Sequence, residues 1–108
     1  DRMQQVFLNL VLNAIEAMPD GGRLTVSAAH TETPESVRVR ISDTGVGIAP
    51  EARDRLFDAF YTTKSDGVGL GLYVTHGIIR DHGGHIDVES CMGEGTTFTV
   101  WLPDSPED

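Results

Sequence analysis

Hydrophobic positions recur along this chain with two different periods, and the switches between them mark out the elements. From Arg2 to Met18 there is no Gly or Pro, and Leu, Val, Ala and Ile are dense enough to predict a helix of about four to five turns. Pro19-Asp20-Gly21-Gly22 stops it. Arg23 to His30 and Val37 to Ser42 alternate in the manner of strands, separated by the polar turn Glu32-Thr33-Pro34-Glu35. They predict a hairpin whose inner faces carry Leu24, Val26, Ala28 and Val37, Val39, Ile41. Pro50 at a first helical position opens a short helix reaching about Phe57, and Asp58 to Gly69, which has no apolar period, reads as a loop. A second long helix is predicted from about Leu70 to Asp81, with Leu70, Leu72, Val74, Gly77, Ile78 and Ile79 on a wide apolar face, and His82-Gly83-Gly84 ends it. Ile86 to Ser90 and Thr96 to Leu102 are two further strands joined by the turn Met92-Gly93-Glu94-Gly95.

This order of elements does not alternate strand and helix singly, which disfavours a doubly wound parallel sheet. It predicts an α+β fold, a two-layer α/β sandwich with helices packed on one face of a mixed, mostly antiparallel sheet. With 108 residues and 39% hydrophobic content the chain has material for one modest core, taken as a single domain over 1–103. The acidic, Pro-containing tail 104–108 is predicted to be disordered. Eight basic against seventeen acidic residues leave a net charge of -9, which argues against nucleic acid or an anionic membrane as the main partner. A small anionic ligand held by a few local donors remains compatible with that charge. The single Cys91 excludes an internal disulfide and fits a reducing, cytoplasmic setting, whether or not a parent protein is membrane-anchored. No apolar run is long enough to span a bilayer, and Asp1-Arg2-Met3-Gln4-Gln5 does not read as a signal peptide.

Three places depart from a plain fold. On a helical wheel at about 100° per residue, Arg2, Gln5, Asn9, Asn13 and Glu16 gather on one narrow stripe of an otherwise apolar helix. The stripe is either the helix's wet side or a site. Asn is a poor helix former, and two stacked carboxamides suit a place that must donate and accept hydrogen bonds or offer neutral oxygen to a hard cation such as Mg²⁺. Asp43 ends a strand and is followed by Thr44-Gly45-Val46-Gly47, which is an ordinary turn or a carboxylate able to accept from the exocyclic amine of adenine. Gly67-Val68-Gly69-Leu70-Gly71-Leu72 runs into the second long helix, where backbone N–H groups and the helix dipole can meet phosphate. Neither the Rossmann nor the Walker spacing is present. Lys64, the only lysine, stands three residues before these glycines, either as a solvated loop charge or as an ammonium reaching a terminal phosphate. His82 and His85 straddle a Gly-Gly turn, a poor basis for a metal site, and Cys91 reads as a strand-end packing residue rather than a nucleophile.

Taken in order, these pieces resemble the ATP-binding catalytic domain of two-component sensor histidine kinases, in the superfamily that also holds gyrase and mismatch-repair ATPases. Asn9 to Ala14 resembles the N box, Asp43 to Ile48 the first glycine box, Phe57 to Phe60 the F box, Gly67 to Leu72 the second glycine box and Gly93 to Phe98 the third. The short segment Phe60 to Lys64 and Glu16-Ala17-Met18-Pro19 look most like the nitrogen-regulation and oxygen-sensing branches.

The resemblance implies Mg²⁺ and ATP as cofactors. By it Asn13 would ligate Mg²⁺, Asn9 would contact phosphate, and Asp43, with Gly45, Gly47 and Ile48 around it, would bind the adenine amine, supported by Thr97 through water. Phe57 to Gly69 would form a lid carrying Phe60 and Lys64, and Gly67, Gly69, Leu70, Gly71 and Leu72 would cradle the phosphates. Asn9 and Lys64 would be the catalytic residues.

In hydrolysing members of the superfamily the residue four before the metal-ligating Asn is a Glu that can activate water. Asn9 has no such basicity, which favours phosphoryl transfer to an external nucleophile over hydrolysis. The implied partners are a helical hairpin domain bearing an acceptor histidine, expected on the same parent chain, and a response regulator downstream. The strand that usually precedes the first helix is missing from the pattern, so one sheet edge is expected to be open. A nucleotide-sensing or structural module of the same fold, without transfer, is the alternative.

Overall fold

The structure, a computed structural model, describes residues 2–32, 35–58 and 71–103. Among the described residues seven elements follow one another: α1 (Arg2–Glu16), β1 (Leu24–Glu32), β2 (Glu35–Asp43), α2 (Pro50–Arg53), α3 (Gly71–Asp81), β3 (His85–Cys91) and β4 (Gly95–Pro103). The strands form one sheet in the order β1-β2-β4-β3, and every neighbouring pair is antiparallel. The expected mixed sheet is therefore wholly antiparallel among the described residues. The chain leaves β2 through α2 and α3, lays β3 at the far edge, and the tight turn at Met92–Glu94 returns β4 into the gap beside β2.

Register decides which residues share the helix-facing side. Val39 and Ile86 both pair with Val100, and Ile41 and Val88 both pair with Phe98. Onto these, α1 lays Val6 and Leu10, while α3 lays Ile78 and Ile79, completing a buried apolar cluster. Val6, Leu10 and Ala14 recur at the i, i+4, i+8 spacing of one helix face, so burial against the sheet and α3 stabilises α1 beyond its modest propensity.

Three details depart from the sequence expectation. α2 ends at Arg53, after which the bonds tighten to Arg55 N–H to Ala52 O, Leu56 N–H to Arg53 O and Asp58 N–H to Arg55 O. These short turns carry Leu56 and Phe57 against the core, where a continued α-helix was expected. The exposed side of α1 is partly apolar: Leu8, Leu12 and Ile15 are 57%, 44% and 52% accessible. β1 is an edge strand over which neither long helix lies, so Val26, an expected inner residue, is also exposed. No described helix is long and apolar enough to cross a membrane. The tail 104–108 lies outside the described residues.

Candidate functional site

The polar stripe of α1 is divided: Arg2, Gln5 and Glu16 are exposed, whereas its two carboxamides sit at the edge of a seam with α3. Asn9 and Asn13 are half-buried, and Asn9 Nδ2 donates to Thr75 Oγ1 at 3.2 Å and lies 3.4 Å from Gly71 O. At the other end of the same helices, Arg2 pairs with Asp81 at 3.2 Å. The two helices therefore run antiparallel, with Asn9 beside the first turn of α3 and Asn13, about 6 Å further along α1, reaching past the start of α3. Gly71 O can only accept, so it fixes the Asn9 amide with nitrogen toward α3. The oxygen, Oδ1, has no hydrogen-bond partner among the described residues. A neutral amide oxygen held this way beside a second carboxamide is a donor set that fits a hard cation such as Mg²⁺.

The other end of the site is built around Asp43, 8% exposed at the end of β2. Its Oδ1 accepts the Gly45 N–H at 2.8 Å, a short loop bond that holds the carboxylate and directs the chain into the glycine turn. Directly across the ladder stands Thr96, 5% exposed and on the same face. The expectation for Thr97 is corrected here. Successive strand residues point to opposite faces, so Thr97 lies on the outer side, 2.7 Å from Ser42 Oγ, and Thr96 takes the place beside Asp43.

Ser90 ties this end together. Its Oγ accepts the Ile48 N–H at 2.8 Å, donates to Gly95 O at 3.0 Å and lies 2.9 Å from Thr96 Oγ1. Two glycines make the close approach possible. Gly47 has φ +79° and a Cβ there would strike the Cys91 carbonyl; Gly95 has φ +125° and a Cβ would strike that of Asp43. Val46 N–H donates to Ala17 O at 3.0 Å, so the Gly45–Gly47 loop sits against the C-terminal end of α1. Along α1, then, Ala17 marks the carboxylate end and Asn9 the α3 end, eight residues or about 12 Å apart.

Several expected site residues meet other fates. Phe60, Lys64, Gly67, Gly69 and Leu70 lie outside the described residues. Gly71 and Leu72 open α3, but the Leu72 side chain packs on the core, which leaves only its backbone for a ligand. Ile48 packs on the core in the same way, with its N–H used by Ser90. Cys91 is exposed rather than packed, because its position on β3 points to the open face of the sheet. His82 Nδ1 contacts Ile78 O at 2.8 Å, His85 stacks at a tilt on Trp101, and His76 stacks on Phe57 with ring centroids 5.1 Å apart.

Sequence reasoning missed Thr75, Ser90 and Thr96. A lone hydroxyl on the apolar face of α3 was a usable signal for Thr75, whereas Thr96 is told from Thr97 only by the pairing of β4 with β2. Nothing local marks Ser90.

An antiparallel sheet layered on one face by two antiparallel helices, with a buried carboxylate beside the C-terminal end of α1 and two carboxamides about one and two turns back along it, is an arrangement of the nucleotide-binding ATPase and kinase class. Residues 1–106 match the histidine kinase-, DNA gyrase B- and HSP90-like ATPase family, and the chain belongs to that family. It is 48% identical over 103 residues to the sensor histidine kinase ZraS of Escherichia coli, covering 95% of this chain and 22% of that protein. Sporulation kinase A of Bacillus subtilis is 46% identical over 103 residues, covering 95% and 17%. The chain thus spans about a fifth of the length of these curated relatives. The catalytic domain of histidine kinase ThkA superposes with a TM-score of 0.84 at 39% identity, covering 97% of this chain and 68% of that one. Full-length ShkA, solved in complex with AMPPNP, gives 0.82 at 34%, covering 94% and 21%. The chain is accordingly a homologue of the ATP-binding catalytic domains of sensor histidine kinases.

Proposed function

We propose that this domain binds Mg²⁺-ATP and donates the γ-phosphoryl group to a histidine on a separate acceptor domain. The observation that carries the reading is the placement of opposite chemistries along α1, with the Asp43 carboxylate at its C-terminal end and Asn9 beside the start of α3. The separation of about 12 Å suits a nucleotide lying along the helix, base toward Asp43 and phosphates toward α3. Asp43 Oδ1 is occupied by Gly45, so the second oxygen is the one that accepts from the adenine amine. Backbone N–H groups at the start of α3 are the donors offered to the phosphates. Asn13, with Asn9 Oδ1 beside it, holds the cation, which when bound neutralises phosphate charge and orients the chain. Lys64 adds a second positive charge on the terminal phosphate.

Asn9 has no basicity with which to activate water, so the domain binds and positions ATP and leaves the nucleophile to an incoming histidine. Relatives of several times this length support an acceptor hairpin elsewhere in a parent chain, and a response regulator then receives the phosphoryl group. The setting is cytoplasmic.

The test is titration of the chain with ATP, with and without Mg²⁺, followed by γ-labelled ATP with and without a cognate hairpin domain. We expect binding, no self-labelling, and labelling of the added hairpin. Asn13→Ala should weaken Mg²⁺-ATP far more than metal-free nucleotide. Nucleotide binding with no labelling of the hairpin would favour the sensing module instead.

A further inference from the structure

The Ser90 hydroxyl carries one proton and two lone pairs, and three contacts compete for them. Its Oγ lies 2.8 Å from Ile48 N, 3.0 Å from Gly95 O and 2.9 Å from Thr96 Oγ1. Two of the roles are fixed by the partners. A backbone N–H can only donate, so Ser90 accepts from Ile48; a carbonyl can only accept, so Ser90 gives its proton to Gly95 O. What remains for Thr96 is a lone pair, and the proton of that contact must come from Thr96. In any other arrangement two oxygens would stand about 3 Å apart with no proton between them, one bond lost and none gained.

We propose that Ser90 is a positioning residue that sets the hydrogen-bond polarity of the base pocket: it draws the Thr96 hydroxyl proton to itself, so that Thr96 and Asp43 together offer acceptors only. This rests on the nucleotide reading above, and it commits the pocket to a purine whose edge carries an amino group, as in adenine, and not a carbonyl. Thr96 stands across the ladder from Asp43, and the two are 5% and 8% exposed. Asp43 Oδ1 already holds the Gly45 N–H, so this corner presents the second carboxylate oxygen and the remaining lone pair of Thr96. An untethered threonine would not discriminate, because its hydroxyl rotates to donate to a carbonyl as readily as it accepts from an amine. Tied to Ser90, it loses that choice. A carbonyl edge then meets lone pairs alone, whereas an amine is satisfied. Removing the Ser90 oxygen frees Thr96 to turn its O–H toward a carbonyl, so the loss falls on discrimination. One neutral hydrogen bond of difference predicts a change in preference of about three- to tenfold.

The experiment titrates ATP and ITP, the analogue with a carbonyl in place of the adenine amine, into the full 108-residue chain by calorimetry with Mg²⁺. Wild type, Ser90→Ala, Thr96→Val and the double variant are compared. Wild type should prefer ATP, and Ser90→Ala should lower that preference about three- to tenfold. In the Thr96→Val background, where no hydroxyl is left to turn, Ser90→Ala should leave the preference unchanged. Equal weakening of both nucleotides by Ser90→Ala would make Ser90 merely structural. The same fall in preference in both backgrounds would place its effect in the Ile48 loop and not in Thr96; either result overturns the proposal. Should Ser90→Ala prove unfolded by circular dichroism, Ser90→Cys, whose thiol fills the space but is a weak donor and acceptor, makes the same comparison. A neutron structure of the deuterium-exchanged wild type tests the polarity with no variant: the Thr96 deuteron should lie toward Ser90 Oγ, and one directed at Asp43 overturns the proposal. A wild type that binds neither nucleotide overturns the functional reading and this proposal with it. A wild type that binds ATP and ITP alike, or a Ser90→Ala that keeps the wild-type preference, overturns this proposal and leaves nucleotide binding intact.

Discussion

Asp43→Asn separates the two oxygens of the buried carboxylate. One of them, Oδ1, accepts the Gly45 N–H at 2.8 Å and shapes the turn; the other is left for the ligand. An Asn at this position must keep its oxygen on Gly45, because the flipped amide would set an N–H against an N–H. Its nitrogen then faces the base, where the adenine amine also donates. The loop should survive, at a cost of no more than about 1 kcal/mol for the weaker neutral bond, a fall in Tm of a few degrees for a domain of this size. ATP, by contrast, loses a hydrogen bond to a charged group, worth about 1.5–3 kcal/mol, and affinity should fall about ten- to hundredfold. GTP presents a carbonyl at that edge and should be hurt less or helped, so the ATP to GTP ratio is the sharper readout. Calorimetric titration of both nucleotides, beside a thermal melt, measures it. A wild type that binds GTP as tightly as ATP, or an Asp43→Asn variant that keeps the ATP preference, would refute the assignment of Asp43 as the base reader.

Thr96→Val should weaken ATP several-fold because Thr96 stands across from Asp43 inside the site, whereas Thr97→Val should leave binding unchanged and cost only the stability of its bond to Ser42, about 1 kcal/mol. Equal effects of the two in calorimetry would contradict the strand parity. Leu10→Ala, at a position with no exposure, should destabilise by about 2–5 kcal/mol and lower Tm by 10 °C or more, against less than about 1 kcal/mol for Leu12→Ala on the open face. Comparable losses in a denaturant melt would mean that the outer face of α1 is covered.

Much of this domain was legible in the sequence because its signals are local. A period of two or of 3.6, a Gly-Gly stop or a Pro at a helix start is set by neighbours along the chain, so α1, the β1–β2 hairpin, α3 and the β3–β4 hairpin all fall within a few residues of where the pattern puts them. The motif order likewise made Asn9, Asn13 and Asp43 candidates, since stacked carboxamides in a helix and a carboxylate before glycines are unusual on any fold.

What the sequence could not determine is which side of each element faces what, because that depends on partners distant in the chain. Helical periodicity gathered the Asn stripe of α1 but not its neighbour; only the antiparallel packing on α3 set its two carboxamides at the edge of a seam and left Leu8, Leu12 and Ile15 outside. The same holds for the two adjacent threonines of β4. Their local chemistry is identical, and only the pairing of Asp43 with Thr96 across the ladder decides that Thr96 belongs to the site and Thr97 to the opposite face. Thr75 and Ser90 acquire a role for the same reason: a hydroxyl is a site residue only where tertiary structure brings it a partner, Asn9 from 66 residues away and Ile48 from 42.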